Sequence, residues 1–224
     1  MIIKDSREVL EKKSAWILAE SIQDIIDEQN HVVFAVPGGR TVGAILRKLA
    51  FEPVDWEKVH FFMVDERLVS LDHAESNFKL VSSCLESFVN RANLHPFIHN
   101  PCDNATALQS YNQLLRSYGG KFDIVLLSSG EDGHIASLFA NHETFASKEE
   151  LFLLTESAPK PPPSRMTASK RLITSSRVAL LLFLGTEKQD AFTAYIDDQV
   201  PVNRCPAKIV QTIQQHYILA ELHE

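Results

Sequence analysis

HVVFAVPGGRTVGAILRKLA, residues 31–50, decides the fold class. Val32 to Val36 form an uninterrupted apolar run, which is how a strand covered on both faces reads, and Pro37, Gly38 and Gly39 turn the chain out of it. TVGAILRKLA then continues as a helix. A buried strand feeding a helix through a glycine turn is one repeat of a parallel α/β sheet.

The pattern recurs on both sides. Residues 6–29 carry Val9, Leu10, Trp16, Ile17, Ile22, Ile25 and Ile26 at helical spacing behind a cap at Asp5 or Ser6. VHFFMVDER (59–67) reads as one strand ending in charge, and SNFKLVSSCLESFV (76–89) as a helix capped by Ser76 or Asn77. A helix follows at about 103–117, then the strand FDIVLLSS (122–129) and a glycine turn. Further strands are expected near LFLLTES (151–157) and VALLLFL (178–184), with helices near 186–195 and 206–215. The sum is an α/β fold, a mostly parallel Rossmann-like sheet with helices on both faces. No linker or repeat divides the chain, so residues 1–224 read as a single domain. Ligands of such sheets bind beyond the carboxyl ends of the strands. PGGRT, DERLV and GEDGH all fall at such ends.

Composition narrows the function classes. A net charge of −7 argues against nucleic acid or an anionic membrane as partner, while leaving room for a small anion in a local basic pocket. Cys84, Cys102 and Cys205 are too scattered for a disulfide framework or a zinc motif and read as reduced thiols. The N-terminus lacks an apolar signal core, and the longest apolar run is too short to span a bilayer, so a cytoplasmic location is expected. HPFIH spaces His95 and His99 by four, but Pro96 spoils a metal-binding helix face; no catalytic metal and no cofactor is expected. Oligomeric state is not legible.

Five segments offer chemistry. In VPGGRT, Gly38 and Gly39 would let a phosphate approach the backbone at a helix N-terminus, with Arg40 and Thr41 adding polar contacts; a plain tight turn would look the same. The spacing fits neither a dinucleotide fingerprint nor a nucleotide P-loop. In VDERLV, Asp65 could abstract a proton, orient a histidine or merely pair with an arginine such as Arg67. GEDGHIASLF sets His134 behind Asp132 in a glycine turn. KPPPSRMT holds Arg165 after a stiff proline run, and GTEKQDAF opens a helix with Lys188; each could equally be solvated surface.

Taken in order, these segments resemble the 6-phosphogluconolactonase family. VPGGRT is similar to its glycine-rich sugar-phosphate loop, VDERLV with SNF (76–78) to its DER…SN motif, GEDGHIASLF to its most specific signature, and PPPSRMT and GTEKQDAF to its later arginine and lysine segments. The likeness spans about residues 30–215. Glucosamine-6-phosphate deaminases share the superfamily, but there a phenylalanine–asparagine–glutamate segment follows the GH pair, where this chain has ASLF.

The resemblance implies hydrolysis of 6-phospho-D-glucono-1,5-lactone, a phosphorylated sugar lactone, to 6-phosphogluconate in the pentose phosphate pathway. It implies His134 as general base toward water, oriented by Asp132 or Asp65. Backbone N–H groups after EDGH, or Arg67, would receive the oxyanion. Gly38, Gly39, Arg40, Thr41, Asn77, Arg165 and Lys188 would contact substrate, with Arg165 gripping the phosphate as a two-pronged fork. A neutral imidazole accepts a proton near pH 7, so the reaction asks for neither a nucleophilic serine nor a metal.

Overall fold

The computed structural model describes residues 1–221. In chain order its elements are β1 (Ile2–Asp5), α1 (Arg7–Glu28), β2 (Val32–Val36), α2 (Arg40–Leu49), β3 (Val59–Met63), β4 (Asp65–Arg67), α3 (Asn77–Leu85), β5 (Leu94–His95), α4 (Asn104–Ser117) and β6 (Ile124–Ser128). There follow α5 (Glu143–Ala146), β7 (Phe152–Thr155), β8 (Arg165–Ala168), α6 (Lys170–Thr174), β9 (Val178–Phe183), α7 (Gln189–Ile196) and β10 (Gln215–Glu221).

Seven strands form a sheet in the order β1-β10-β9-β6-β2-β3-β5, and every pairing in it is parallel. All residues of β2 and β9 are buried, so both faces of the sheet are covered, as uninterrupted apolar runs require. Phe34, Phe61, Phe62 and Phe183 anchor this core. Along α1 the apolar stripe faces the sheet through Leu10, Ile17, Ile22 and Ile25, but Trp16 stands in solvent.

A second, antiparallel sheet in the order β4-β8-β7 departs from the expected layout. VHFFMVDER is not one strand. At Val64 the N–H still donates to Val36 O (2.9 Å) in the parallel sheet, while its carbonyl accepts from Ala168 N (2.7 Å) in the small one. That corner carries Asp65, Glu66 and Arg67 onto a different sheet. LFLLTES contributes β7 to the same sheet, and RMTA, which carries no strand in the sequence reading, forms its central strand β8. Two further differences lie near the C-terminus. The segment after Cys205 is a 3-10 helix ending at Thr212 rather than a helix to 215, and β10 follows it between β9 and β1.

From β2 the chain first builds outward through β3 and β5, then returns to lay β6 on β2's other side. The carboxyl ends of β2 and β6 therefore flank the point where strand order reverses, which opens a crevice beyond the carboxyl ends of the central strands. Gly38 and Gly39 leave one strand there, and Ser129, Gly130 and His134 follow the other.

Candidate active site

A cleft of about 310 Å³ occupies that crevice. Gly38 and Gly39 form one wall, Gly130 and His134 another, and Asp65, Arg67 and Asn77 reach it from β4 and α3. Lys160, Arg165 and Lys188 complete the lining, giving four cations against one acidic side chain within a chain of net charge −7. Such a pocket suits an anionic ligand.

His134 sits half-buried in the turn after β6. Its Nδ1 meets Asp132 Oδ1 at 2.5 Å, which leaves Nε2 as the ring nitrogen without a protein partner among the described residues. The ring packs on Phe139, with centroids 4.7 Å apart. Partial burial would raise the Asp132 carboxyl's pKa, but the bond to His134, the charge of that ring and the Lys160 ammonium hold it well below the usual carboxylate range. Asp132 is therefore ionised at neutral pH, and an ionised carboxylate fixes the imidazole proton on Nδ1. The turn demands its glycines. A Cβ on Gly130 would lie 2.0 Å from His134 Cε1 and 2.1 Å from Nδ1, and Gly133 has φ +80° with Cys205 Sγ directly behind it. Gly133 O also accepts from Ala207 N (3.0 Å), so the 205–207 segment backs the turn.

Asp65 has other partners. Its Oδ2 accepts from Ser137 Oγ (2.8 Å), and its backbone O and Oδ1 receive Asn77 Nδ2 (3.0 and 3.3 Å). Asn77 in turn fills the space beside Gly38, where a Cβ would stand 1.9 Å from Asn77 Oδ1. Gly38 is thus required by a protein side chain. The adjacent Glu66 is buried and closes the start of α3, accepting from the N–H of Asn77 (2.8 Å) and of Phe78 (2.7 Å) and from Ser76 Oγ (3.1 Å). These bonds satisfy amides that a helix start leaves open and place a negative charge at its positive end. Ser76, Asn77 and Phe78 lie ten to twelve residues from Glu66, so spacing gives no sign of this capping role.

The α2 N-terminus is treated differently. Gly39 stands at its cap with φ +107° and no side chain to occupy the first-turn amides. Gly38 and Gly39, which lead into that end, line the cleft. Arg40 is exposed and Thr41 half-buried, and neither side chain lines the cleft. Lys188 does, with its nearest carboxylate, Glu187 Oε1, 3.9 Å away.

Arg165 is buried and already engaged. Nε donates to Pro162 O (2.9 Å), Nη2 to Lys160 O (2.9 Å) and Pro161 O (3.1 Å), and Nη1 to Ser137 Oγ (3.3 Å), with Asp65 Oδ2 at 3.9 Å. Three of these bonds tie the guanidinium to the carbonyls of residues 160–162, and Arg165 still lines the cleft. Arg67 pairs opposite it across β4 and β8; its Nη1 donates to Glu75 O (2.6 Å) and its buried Nε has no partner among the described residues. Lys160, which sequence reading passed over, bonds Glu131 Oε1 at 2.8 Å and lies 3.8 Å from Asp132 Oδ1. Among the described residues no three His, Cys, Asp or Glu side chains converge to hold a metal ion, and no helix is long and apolar enough to cross a membrane.

A parallel α/β sheet whose switch-point cleft joins a histidine–aspartate pair to a ring of cations defines a small-anion-binding α/β protein equipped for proton transfer. Comparison with known proteins narrows that class. The family model described as glucosamine-6-phosphate isomerases/6-phosphogluconolactonase matches residues 5–219, and the chain belongs to that family. Among curated relatives, a 6-phosphogluconolactonase of Borreliella burgdorferi is 29% identical over 192 residues, covering 83% of this chain and 82% of the relative. One of Thermotoga maritima is 31% identical over 179 residues, covering 79% and 80%. The crystal structure of 6-phosphogluconolactonase from Thermotoga maritima superposes with a TM-score of 0.88 at 27% identity, over 99% of each chain.

Proposed function

We propose that this chain hydrolyses 6-phospho-D-glucono-1,5-lactone to 6-phospho-D-gluconate, the lactone-opening step of the pentose phosphate pathway, by metal-independent general-base attack of water. The observation that carries the reading is the His134–Asp132 pair, its free Nε2 bordering a cationic cleft. Nε2 takes a proton from water as the oxygen bonds to the lactone carbonyl carbon. The carbonyl electron pair moves onto oxygen and returns as the ring C–O bond breaks. The imidazolium then gives its proton to the departing ring oxygen, leaving a carboxylic acid that ionises to solvent. A positioned base of this kind contributes ~10² to 10⁴ in rate.

For the oxyanion, two donors are open: Arg67 Nη2 and the Ala136 N–H at the cleft wall have no partner among the described residues, whereas Ser137 N is spent on Thr167 Oγ1. Asp65 and Asn77 brace this wall. The phosphate fits the open α2 amides of the Gly38–Thr41 turn, with Lys188 as counter-charge. Arg165 adds charge and holds the 160–163 loop.

Chelator-treated protein should accelerate the loss of phosphorylated lactone in a coupled assay corrected for spontaneous hydrolysis, and release no ammonia from glucosamine 6-phosphate. A rate equal to the spontaneous one would end the lactonase reading; activity abolished by EDTA and restored by one divalent ion would end the metal-free mechanism. In the same assay Lys188→Met should lower kcat/KM for the phosphorylated lactone roughly 10- to 150-fold, the loss of one charge-assisted contact of ~1.5 to 3 kcal/mol. Unphosphorylated gluconolactone should barely notice. Arg165→Met, by contrast, should penalise both substrates; a loss confined to the phosphorylated one would return the phosphate fork to Arg165.

A further inference from the structure

Lys160 and Glu131 are 29 residues apart in sequence, and their contact joins the proline-rich loop to the turn that carries His134. As an isolated surface pair it would be worth little. Two observations set it apart. The Lys160 backbone is not free to drift, because its carbonyl is gripped by the buried Arg165, which also holds the next two carbonyls and Ser137. The ammonium, moreover, faces Asp132 Oδ1, the same oxygen that His134 Nδ1 holds. One carboxylate oxygen therefore lies between a lysine and the imidazole.

We propose that Lys160, anchored by Glu131 and placed by Arg165, is a positioning residue for the His134–Asp132 pair: its positive charge, facing the carboxylate oxygen bonded to Nδ1, counters that carboxylate's pull on the ring and opposes premature formation of imidazolium. The role rests on the lactonase reading. The Asp132 carboxylate draws positive charge toward the ring, and a cation beyond the carboxylate offsets that pull without touching the ring. Other charges face the pair across the cleft: Lys188, Arg165 and Arg67 add positive potential, and Asp65 opposes them. The Cys205 thiol behind Gly133 is pushed up by burial and stays neutral. None of these shares the Asp132 oxygen as Lys160 does.

The test pairs two charge removals of opposite sign. Lys160→Met should move the acid limb of kcat/KM upward by about half to one pH unit, since a unit charge several ångströms away in a partly solvated site has that reach. Glu131→Gln should move it downward, and Lys160→Arg should restore it. The His134 ring signals in a ¹H–¹⁵N NMR titration of the free protein should shift in the same senses, a readout independent of turnover. An acid limb and a ring titration unmoved in both variants would overturn the proposal. So would a limb that stays put while KM rises tenfold or more in Lys160→Met, because Lys160 would then be a direct substrate contact. If the wild type fails to hydrolyse the lactone, the lactonase reading falls, and the NMR titration still decides whether Lys160 governs the histidine.

Discussion

His134→Ala should fold as the wild type does and lose at least ~10² of kcat on the phosphorylated lactone. The side chain is half-buried at a cleft wall and contributes one ring contact, to Phe139, so its removal leaves the sheet intact. What goes is the free Nε2 beside the cleft. The companion variant is Gly130→Ala, which retains both members of the pair. Its methyl group would overlap His134 Cε1 and Nδ1 at about 2 Å, so the ring must turn away from Asp132. A loss of at least tenfold is expected there, as is usual when a catalytic group is misplaced by around an ångström. Thermal melts of both variants should lie within a few degrees of the wild type. More than half of wild-type kcat in His134→Ala would remove that residue from the role of base.

Acidification should destabilise the fold by about 3 kcal/mol between pH 6.5 and pH 4 through His95. This residue lies on β5 with its Nε2 3.2 Å from His60 Nδ1 and its ring against Phe62. Burial, with a smaller contribution from His60, pushes its pKa down to about 4. The unfolded chain takes up a proton near pH 6.5 that the folded chain refuses until about pH 4, so stability is full above the upper value and drains away toward the lower. His60 is shifted in the same direction, by burial and then by His31. Carboxylates titrate over part of this range, so the comparison must be with His95→Phe, which keeps the ring volume and removes the charge. Between pH 7 and pH 5 the unfolding free energy from urea titrations should fall by about 2 kcal/mol more in the wild type than in the variant. Equal falls would acquit His95.

What was legible in the sequence was what depends on neighbours in the chain. The buried run Val32–Val36, the glycines after it and the glycine turn that carries His134 all declare themselves within a few residues. The antiparallel sheet did not, because β8 is buried along its whole length and contains an arginine. A charged residue after three prolines reads as surface until the carbonyls that receive its protons are seen. Lys160 and the capping role of Glu66 escaped for the same reason, their partners being distant in sequence. Asp65 and Asp132 could not be told apart from spacing alone; geometry brings Asp132 to the imidazole and gives Asp65 to Ser137 and Asn77. β1 and β5 are simply too short to outweigh their surroundings.

The sheet's outer edge has a consequence for how the molecule is made. β1 bonds to β10, with Ile2 opposite Ile218 and Asp5 opposite Glu221, and α1 leans on the same late strand. During synthesis the first strand therefore waits with its backbone groups unpaired until residues 215–221 have left the ribosome. The β2, β3 and β6 centre can assemble early from contacts nearer in sequence, but the flank cannot. Closing so wide a loop is costly in chain entropy and slow, which makes the flank the natural last step of folding. A nascent chain stalled before β10 would hold the central crevice while its opening strand remained open to pairing with strangers.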